Sequence, residues 1–584
     1  MINTSVRIVL CLLWIATTAV ESASFGIQTG IVPSTGAEDQ GSSYGGSMQY
    51  DSRNEVLFVT GSTYGSYFGM SSAHHHTPTF SNCFLGVLSL QDNSQQPHWL
   101  DTSRFGTTNV SESCSAMTMV NGTKLYLGGQ TLENGLLTGL RPAGSRRATQ
   151  YGFVGDVHVD LRESEPTSTQ FQGGRLLHSS NVQTVSALAT NDGSSHVFVA
   201  SHETDSTTIH STYNTTTTND NQPNFSTGGI TKYGQNYFVN IGQFPVVLNG
   251  GGGSTLEQTL GTPSWVREIA TSGSVDVAGL LLLPGANTLL LAGTAMGSDS
   301  QAIPPNGGSN TLDTDYDGFV TLLDPANGSI LGTLRVESQR GQQDRVEAVC
   351  VQEGPNPEYA YLVGSTTGIV DTELGDNRDY ETYSAFVTQI SLPALDVLAT
   401  KQIEANVGPL STNPTGPQMR GLACAVTSDG ANVYIGGVVE EGSMVPGQAS
   451  LGRDDVFVAQ YNVRNGNFTL VQQVGSTKDD ALVDIVVDKD DNAIVLGNTR
   501  GSLLRPKSDN STTSDVFIMS FARNTGFCVT LLTDSPTPQQ PTTPAATPAP
   551  STNETPSSGE GGGGGGVHGG LVAVLVVLSV LGSF

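Results

Sequence analysis

The sequence predicts an all-β fold, a seven-bladed β-propeller of four-stranded antiparallel blades. Three observations predict it. A short apolar run built on Phe recurs seven times, at intervals of 60 to 85 residues. Ahead of each run stand an apolar strand, a polar turn and a second apolar strand, the second usually ending in Gly. No polar capping unit stands at either end of the series, as an open solenoid would need. One such unit cannot bury its apolar face alone, but seven can close into a ring.

The leading hairpins, in order, are MQYDSRNEVLFVTGST (48–63), SAMTMVNGTKLYLGGQT (115–131), VSALATNDGSSHVFVASHE (185–203), VAGLLLLPGANTLLLAGTA (277–295), VEAVCVQEGPNPEYAYLVGST (346–366), RGLACAVTSDGANVYIGGV (420–438) and LVDIVVDKDDNAIVLGNT (482–499). Their turns carry Asn-Gly, Asp-Gly, Pro-Gly or Asp-Asp, the chemistry of tight hairpins. The third strands follow, centred on Phe84, Phe153, Phe238, Phe319, Phe386, Phe457 and Phe517. A further turn, as in LDPANGSI (323–330) or YNVRNGNF (461–468), leads to a fourth strand. Naming the strands A to D, the A–B and C–D turns are predicted tight and the B–C loops about 20 to 37 residues long. Continuous apolar strands such as LLLLP suit a sheet packed on both faces. A β-sandwich array and an open solenoid are the competing architectures. Either Phe25–Gln28 or Phe527–Val529 could supply the outer strand of the last blade and so close the ring.

Blade 7 carries Asp479, Ala481, Ile485, Asp488, Gly497, Thr499, Asp515 and Phe517. Blade 4 carries Asp276, Ala278, Gly293, Thr294, Asp317 and Phe319, and blade 6 keeps Gly436, Asp455 and Phe457. In this the chain resembles the seven-bladed beta-propeller repeat (SBBP) family over nearly all of 40–525. Blade 3 departs, with Ala200-Ser201 where the pattern has Gly. The resemblance implies the fold and says little of function.

Residues 1–24 read as a secretory signal, with Arg7, an apolar stretch and small residues at Ser22–Ser24. The propeller is assigned to 25–533, a Pro/Thr/Ser- and Gly-rich stalk to 534–566, and an apolar tail to 567–584. The tail is short for a span and lacks a basic stop. It fits a GPI-attachment signal, with Ser557 or Ser558 as the lipid attachment point. For residues 1–24 the alternative is an N-terminal membrane anchor; for the tail the alternatives are a short C-terminal anchor or no anchor. Sequons mark Asn109, Asn121, Asn214, Asn224, Asn327, Asn467, Asn510 and Asn553 for glycosylation. An extracellular, cell-surface glycoprotein is therefore expected. Outside the signal lie Cys83, Cys114, Cys350, Cys424 and Cys528, an odd number whose pairing the sequence leaves open.

The net charge of -28 argues against nucleic acid, which needs a basic footprint, and against anionic lipid. Long loops on a rigid scaffold favour a site on the B–C/D–A face. There the blade 1 loop offers Tyr64, Tyr67, Phe68, His74, His75 and His76 as a ligand platform. Asp313, Asp315 and Asp317, alternating before Gly318, form an oxygen-rich set suited to Ca²⁺, the cofactor expected. Asp324 stands where such a loop would end, but at the far end of a predicted strand. Glu112, Asp276, Asp344, Asp479 and Asp480 begin A strands and are expected around the channel mouth, holding a cation or accepting backbone N–H groups. Gly41–Gly45 matches Gly-x-Ser-x-Gly only formally, since it leads into a β repeat and not a helix. Outside the signal only Trp99 and Trp265 occur, too few for a Trp-lined quinone propeller.

The function expected is a non-catalytic propeller for adhesion or recognition of an extracellular glycan or protein, held to the membrane by a lipid anchor. One alternative is an extracellular propeller hydrolase, lyase or oxidoreductase acting at the acidic mouth. Another is a structural component of a wall or matrix.

Overall fold

β-branched and aromatic residues keep the chain extended, and each Gly- or Asp-bearing turn reverses it. The computed structural model describes residues 26–29 and 43–523, apart from segments in the connections, chiefly 65–79, 91–96, 133–149, 162–166, 205–237, 247–259, 297–302, 304–314, 372–381, 404–417, 443–450 and 505–512. Every regular element among the described residues is a strand. Blade 1 is β2 (Ser43–Asp51), β3 (Val56–Thr63), β4 (Asn82–Ser89) and β5 (His98–Phe105); blade 2 is β6 (Glu112–Asn121), β7 (Lys124–Leu132), β8 (Gln150–Asp160) and β9 (Ser168–Leu176). Blade 3 is β10 (Val182–Ala189), β11 (His196–Thr204), β12 (Phe238–Pro245) and β13 (Trp265–Ala270); blade 4 is β14 (Val275–Leu283), β15 (Thr288–Met296), β16 (Tyr316–Leu323) and β17 (Ile330–Val336). Blade 5 is β18 (Asp344–Val351), β19 (Tyr359–Thr366), β20 (Ser384–Ser391) and β21 (Val397–Ile403); blade 6 is β22 (Gln418–Val426), β23 (Asn432–Glu440), β24 (Asp454–Asn462) and β25 (Asn467–Val474). Blade 7 is β26 (Asp480–Val487), β27 (Ala493–Thr499) and β28 (Asp515–Phe521), completed by β1 (Gly26–Thr29).

The ring closes through β1, which pairs antiparallel with β28 from Gly26↔Met519 to Thr29↔Val516. Of the two closing segments read from the sequence, the N-terminal one takes the place, and Phe527–Val529 lies outside the described residues. Seven apolar clusters hold the ring, one at each contact between neighbouring blades. The cluster of Met48, Leu57 and Val59 with Ile494, Leu496 and Val516 joins blade 1 to blade 7. B and C strands are buried on both faces, which is why they read as continuous apolar runs. The ring lies within the compact unit Met1–Thr533, and Asp534–Phe584 forms a second unit.

Each A strand carries a β-bulge, and in six blades a Gly of strand B stands opposite its first residue. In those six blades the same Gly pairs with the repeat Phe, as Gly61 with Phe84 and Gly497 with Phe517. These Phe side chains are at most 1 % exposed. Blade 3 corrects the sequence expectation. There Ser201 faces the bulge and pairs with Asn240, so Phe238 lies two residues before the repeat position. In blade 6 the repeat glycine is Gly437, which pairs with Phe457, and not Gly436. The connections differ as well. B–C loops run from 441–453 in blade 6 to 205–237 in blade 3, shorter than expected because the strands extend into them. The C–D connection of blade 3 spans 246–264 and is not tight.

The residue after the repeat Gly latches several blades to the next. Asn498 Oδ1 accepts the Gly45 N–H at 2.8 Å, and Thr294 Oγ1 accepts that of Val346 at 3.0 Å. In blade 3 His202 Nε2 accepts the Val277 N–H at 2.9 Å, so its ring proton sits on Nδ1, facing Ser186 Oγ.

Two disulfides cross blade boundaries. Cys83–Cys114 joins blades 1 and 2, and Cys350–Cys424 joins blades 5 and 6. Cys528 lies outside the described residues. The second bridge closes a segment of 74 residues, and loop-closure entropy assigns such a bridge about 4 kcal/mol. Cys350→Ala/Cys424→Ala should therefore unfold at clearly lower denaturant. A midpoint matching the unreduced parent would mean these thiols are not bridged.

Candidate functional site

Antiparallel order puts the A–B and C–D turns on one face of the ring and the B–C and D–A connections on the other. The long connections therefore share the second face, apart from 246–264.

The five predicted mouth acids do not form one set. Glu112, Asp344 and Asp480 occupy the same place, two residues before the bulge in blades 2, 5 and 7. Each is at most 1 % exposed. Glu112 accepts from the Thr107 N–H at 3.3 Å and the Thr107 hydroxyl at 3.2 Å. Asp344 accepts from Ser338 N–H and the Thr366 hydroxyl, and Asp480 from Ser476 N–H. Burial pushes Asp344 up to about 6 and Asp480 up to about 7, against those hydrogen bonds. Asp276 falls one residue later in register and stands 3.6 Å from His202 Nε2. Asp479 precedes its strand and pairs with Arg500 Nη1 at 3.1 Å. Among the described residues no three His, Cys, Asp or Glu gather as a metal site.

The Ca²⁺ set fares similarly. Asp317 is buried and accepts from Arg335 Nε at 2.8 Å, so its charge is already matched. Asp324 caps its own turn, accepting the Ala326 N–H at 2.8 Å on the opposite face. Asp315 is described and Asp313 is not. The described part of the set does not fit a Ca²⁺ cage at Asp317.

In the blade 1 loop, Tyr64 packs edge-on against Tyr44 with ring centroids 6.4 Å apart. Tyr67, Phe68, His74, His75 and His76 lie outside the described residues, as do Asn109, Asn214, Asn224, Asn510, Asn553, Ser557 and Ser558. Asn121, Asn327 and Asn467 are exposed, all on the tight-turn face.

Two groups on the loop-rich face escaped the sequence reading. In blade 6, Arg420 pairs with Glu440, and Arg453 Nε lies 3.8 Å from Asp454 Oδ1. Burial, then Glu440 and Asp479, push Asp454 up to about 7. Between blades 4 and 5, Tyr316, Gln342, Gln343, Arg345, Thr367 and Tyr383 are all half-buried. The Arg345 guanidinium lies 4.1 Å from the Tyr316 ring centroid. Tyr383 OH donates to Gln343 Oε1 at 2.5 Å, and Arg345 Nη2 approaches the same oxygen at 3.4 Å. Gln343 N–H donates to Thr367 Oγ1 at 3.0 Å, and Thr367 Oγ1 to Gln342 Oε1 at 3.2 Å. The six residues come from four separate stretches of chain, which only the ring brings together.

No family model and no curated protein matches the chain. Solved structures do match. Kuenenia stuttgartiensis hydrazine synthase is 11% identical at a TM-score of 0.37, over 80% of this chain and 96% of that one. The Dos1 propeller is 9% identical at 0.35, over 82% and 94%. Phage phi92 endosialidase is 10% identical at 0.35, over 88% and 72%. Identities and TM-scores this low carry no argument about function, and the fold itself, seven four-stranded blades in a closed ring, is that of a seven-bladed β-propeller.

Proposed function

We propose that this chain is an exported, lipid-anchored surface protein whose propeller recognises an extracellular glycan or protein without catalysis. The observation that carries the reading is the B–C/D–A face: long connections gather there on a rigid ring, and its strand-start carboxylates already hold internal partners. Groups so engaged serve the scaffold and are poorly placed for proton transfer to a ligand. Two bridged cysteine pairs suit an oxidising compartment. The apolar tail supports the anchor, and mass spectrometry finding an intact, unlipidated C-terminus would sink that part.

The test is a glycan array probed with residues 25–533, in Ca²⁺ and then in chelator. Selective binding is expected. Loss on chelation would support a Ca²⁺ role in binding, read in the sequence at Asp313, Asp315 and Asp317, of which Asp317 is already paired with Arg335. Silence in both conditions would sink a glycan ligand and leave a protein partner.

One observation favours a second reading. Asp454 is held near neutrality beside Glu440 and Asp479, a state suited to a general acid. A propeller enzyme acting there would cleave array glycans, and Asp454→Asn would abolish the cleavage while sparing the binding.

A further inference from the structure

The hydrogen bonds between blades 4 and 5 fix where the protons lie. Thr367 Oγ1 accepts the Gln343 N–H and donates its own hydrogen to Gln342 Oε1. Arginine can only donate, so the Gln343 atom facing Arg345 Nη2 is the amide oxygen. The Tyr383 hydroxyl donates to that oxygen too. Both amide oxygens are thus occupied. Neither the Gln342 nor the Gln343 side-chain NH₂ has a hydrogen-bond partner among the described residues. Two half-buried amide donors therefore stand beside a guanidinium stacked on Tyr316.

A ligand here must supply acceptors, and the guanidinium favours acceptors that carry charge. The two tyrosines add the aromatic surface that sugar rings pack against. Asp344, between Gln343 and Arg345 in the chain, is fully buried and pushed up to about 6 by that burial, which lessens its opposition to an anion at mildly acidic pH. This is a donor-rich island in a chain of net charge -28.

We infer that the mouth between blades 4 and 5 binds an acidic saccharide, its carboxylate or sulfate held by Gln342, Gln343 and Arg345. The inference rests on the recognition role proposed above and narrows it to one place and one ligand chemistry.

Calorimetry of residues 25–533 against oligogalacturonate, a heparin-derived oligosaccharide and a neutral dextran oligosaccharide tests it. At least one acidic probe should bind and dextran should not; binding of oligogalacturonate, which carries carboxylates alone, would show that a carboxylate suffices. Gln342→Glu and Gln343→Glu keep the side-chain shape but exchange a donor for a negative charge. Each should weaken binding at least tenfold with the melting temperature unchanged. If either variant melts lower, Gln342→Ala replaces it and should still weaken binding severalfold. Acidic binding that survives these changes would overturn the inference while leaving recognition intact. Binding confined to neutral array glycans would do the same, whereas an array silent to every glycan would overturn this inference together with the glycan reading and leave a protein partner.

Discussion

Alanine at Gly364 or Gly437 will destabilise the ring by about 3 kcal/mol or more, at the severe end for an overpacked core. A Cβ on Gly364 would stand 1.7 Å from the Arg345 carbonyl oxygen, and one on Gly437 1.8 Å from that of Arg420 and 2.6 Å from Phe457 Cε1. The oxygens belong to the A-strand bulge and cannot yield without breaking the A–B ladder. The ring behind Gly437 is fully buried and cannot swing away. Blade 3 supplies the control. Ser201 occupies the same register with a Cβ already in place, opposite Asn240 where the other blades have Phe. Ser201→Gly should shift stability by about 1 kcal/mol at most, the usual strand-glycine cost. Urea unfolding midpoints decide it. A Gly437→Ala midpoint close to that of the parent would mean that the bulge relaxes freely and that the Gly–Phe pairing is not a packing requirement.

That pairing is also why so much of the fold was legible. Six blades repeat one Gly against one Phe; at Gly61, Gly293, Gly437 and Gly497 two independent contacts, A-strand carbonyl and ring, restrict the same position, and at Gly129 and Gly364 the carbonyl does. A doubly restricted position leaves a mark in sequence. Blade 3 lost both partners together, so its Phe238 sat in the expected place by apolar character alone, and register does not follow from apolarity. Phe25–Gln28 and Phe527–Val529 are both short and apolar, and only pairing to β28 separates them. The mouth between blades 4 and 5 left no pattern either. Gln342-Gln343 is visible before Asp344, but two amides become a site only when Thr367, Tyr316 and Tyr383 arrive from other segments. Conversely, the acids that did stand out serve the repeat. Asp344 and Asp480 recur because their D–A connections need an acceptor at that spot.

Those two acids make the protein more stable in mild acid than at pH 8. Their folded values, about 6 and about 7, lie above the ordinary 3.8 because burial disfavours the carboxylate. The folded chain therefore keeps protons that the unfolded chain has lost across roughly pH 4 to 7. Stability falls as pH rises through that window, because the native state binds more protons. From pH 5 to 8 the loss is on the order of 3 kcal/mol, read as a melting temperature lower by several degrees. Net negative charge would give the same sign, since acidification relieves repulsion at -28. Salt separates the causes. At 0.5 M NaCl surface repulsion is largely screened, while a fully buried carboxylate is not. Asp480→Asn separates them again: it keeps an acceptor for the Ser476 N–H and carries no charge at any pH. Its melting temperature should exceed that of the parent at pH 8 and vary less between pH 5 and 8, in low and high salt alike. A parent profile that flattens completely in salt, with an unchanged slope in Asp480→Asn, would assign the whole effect to the surface and mean that Asp480 stays ionised within its ring of donors.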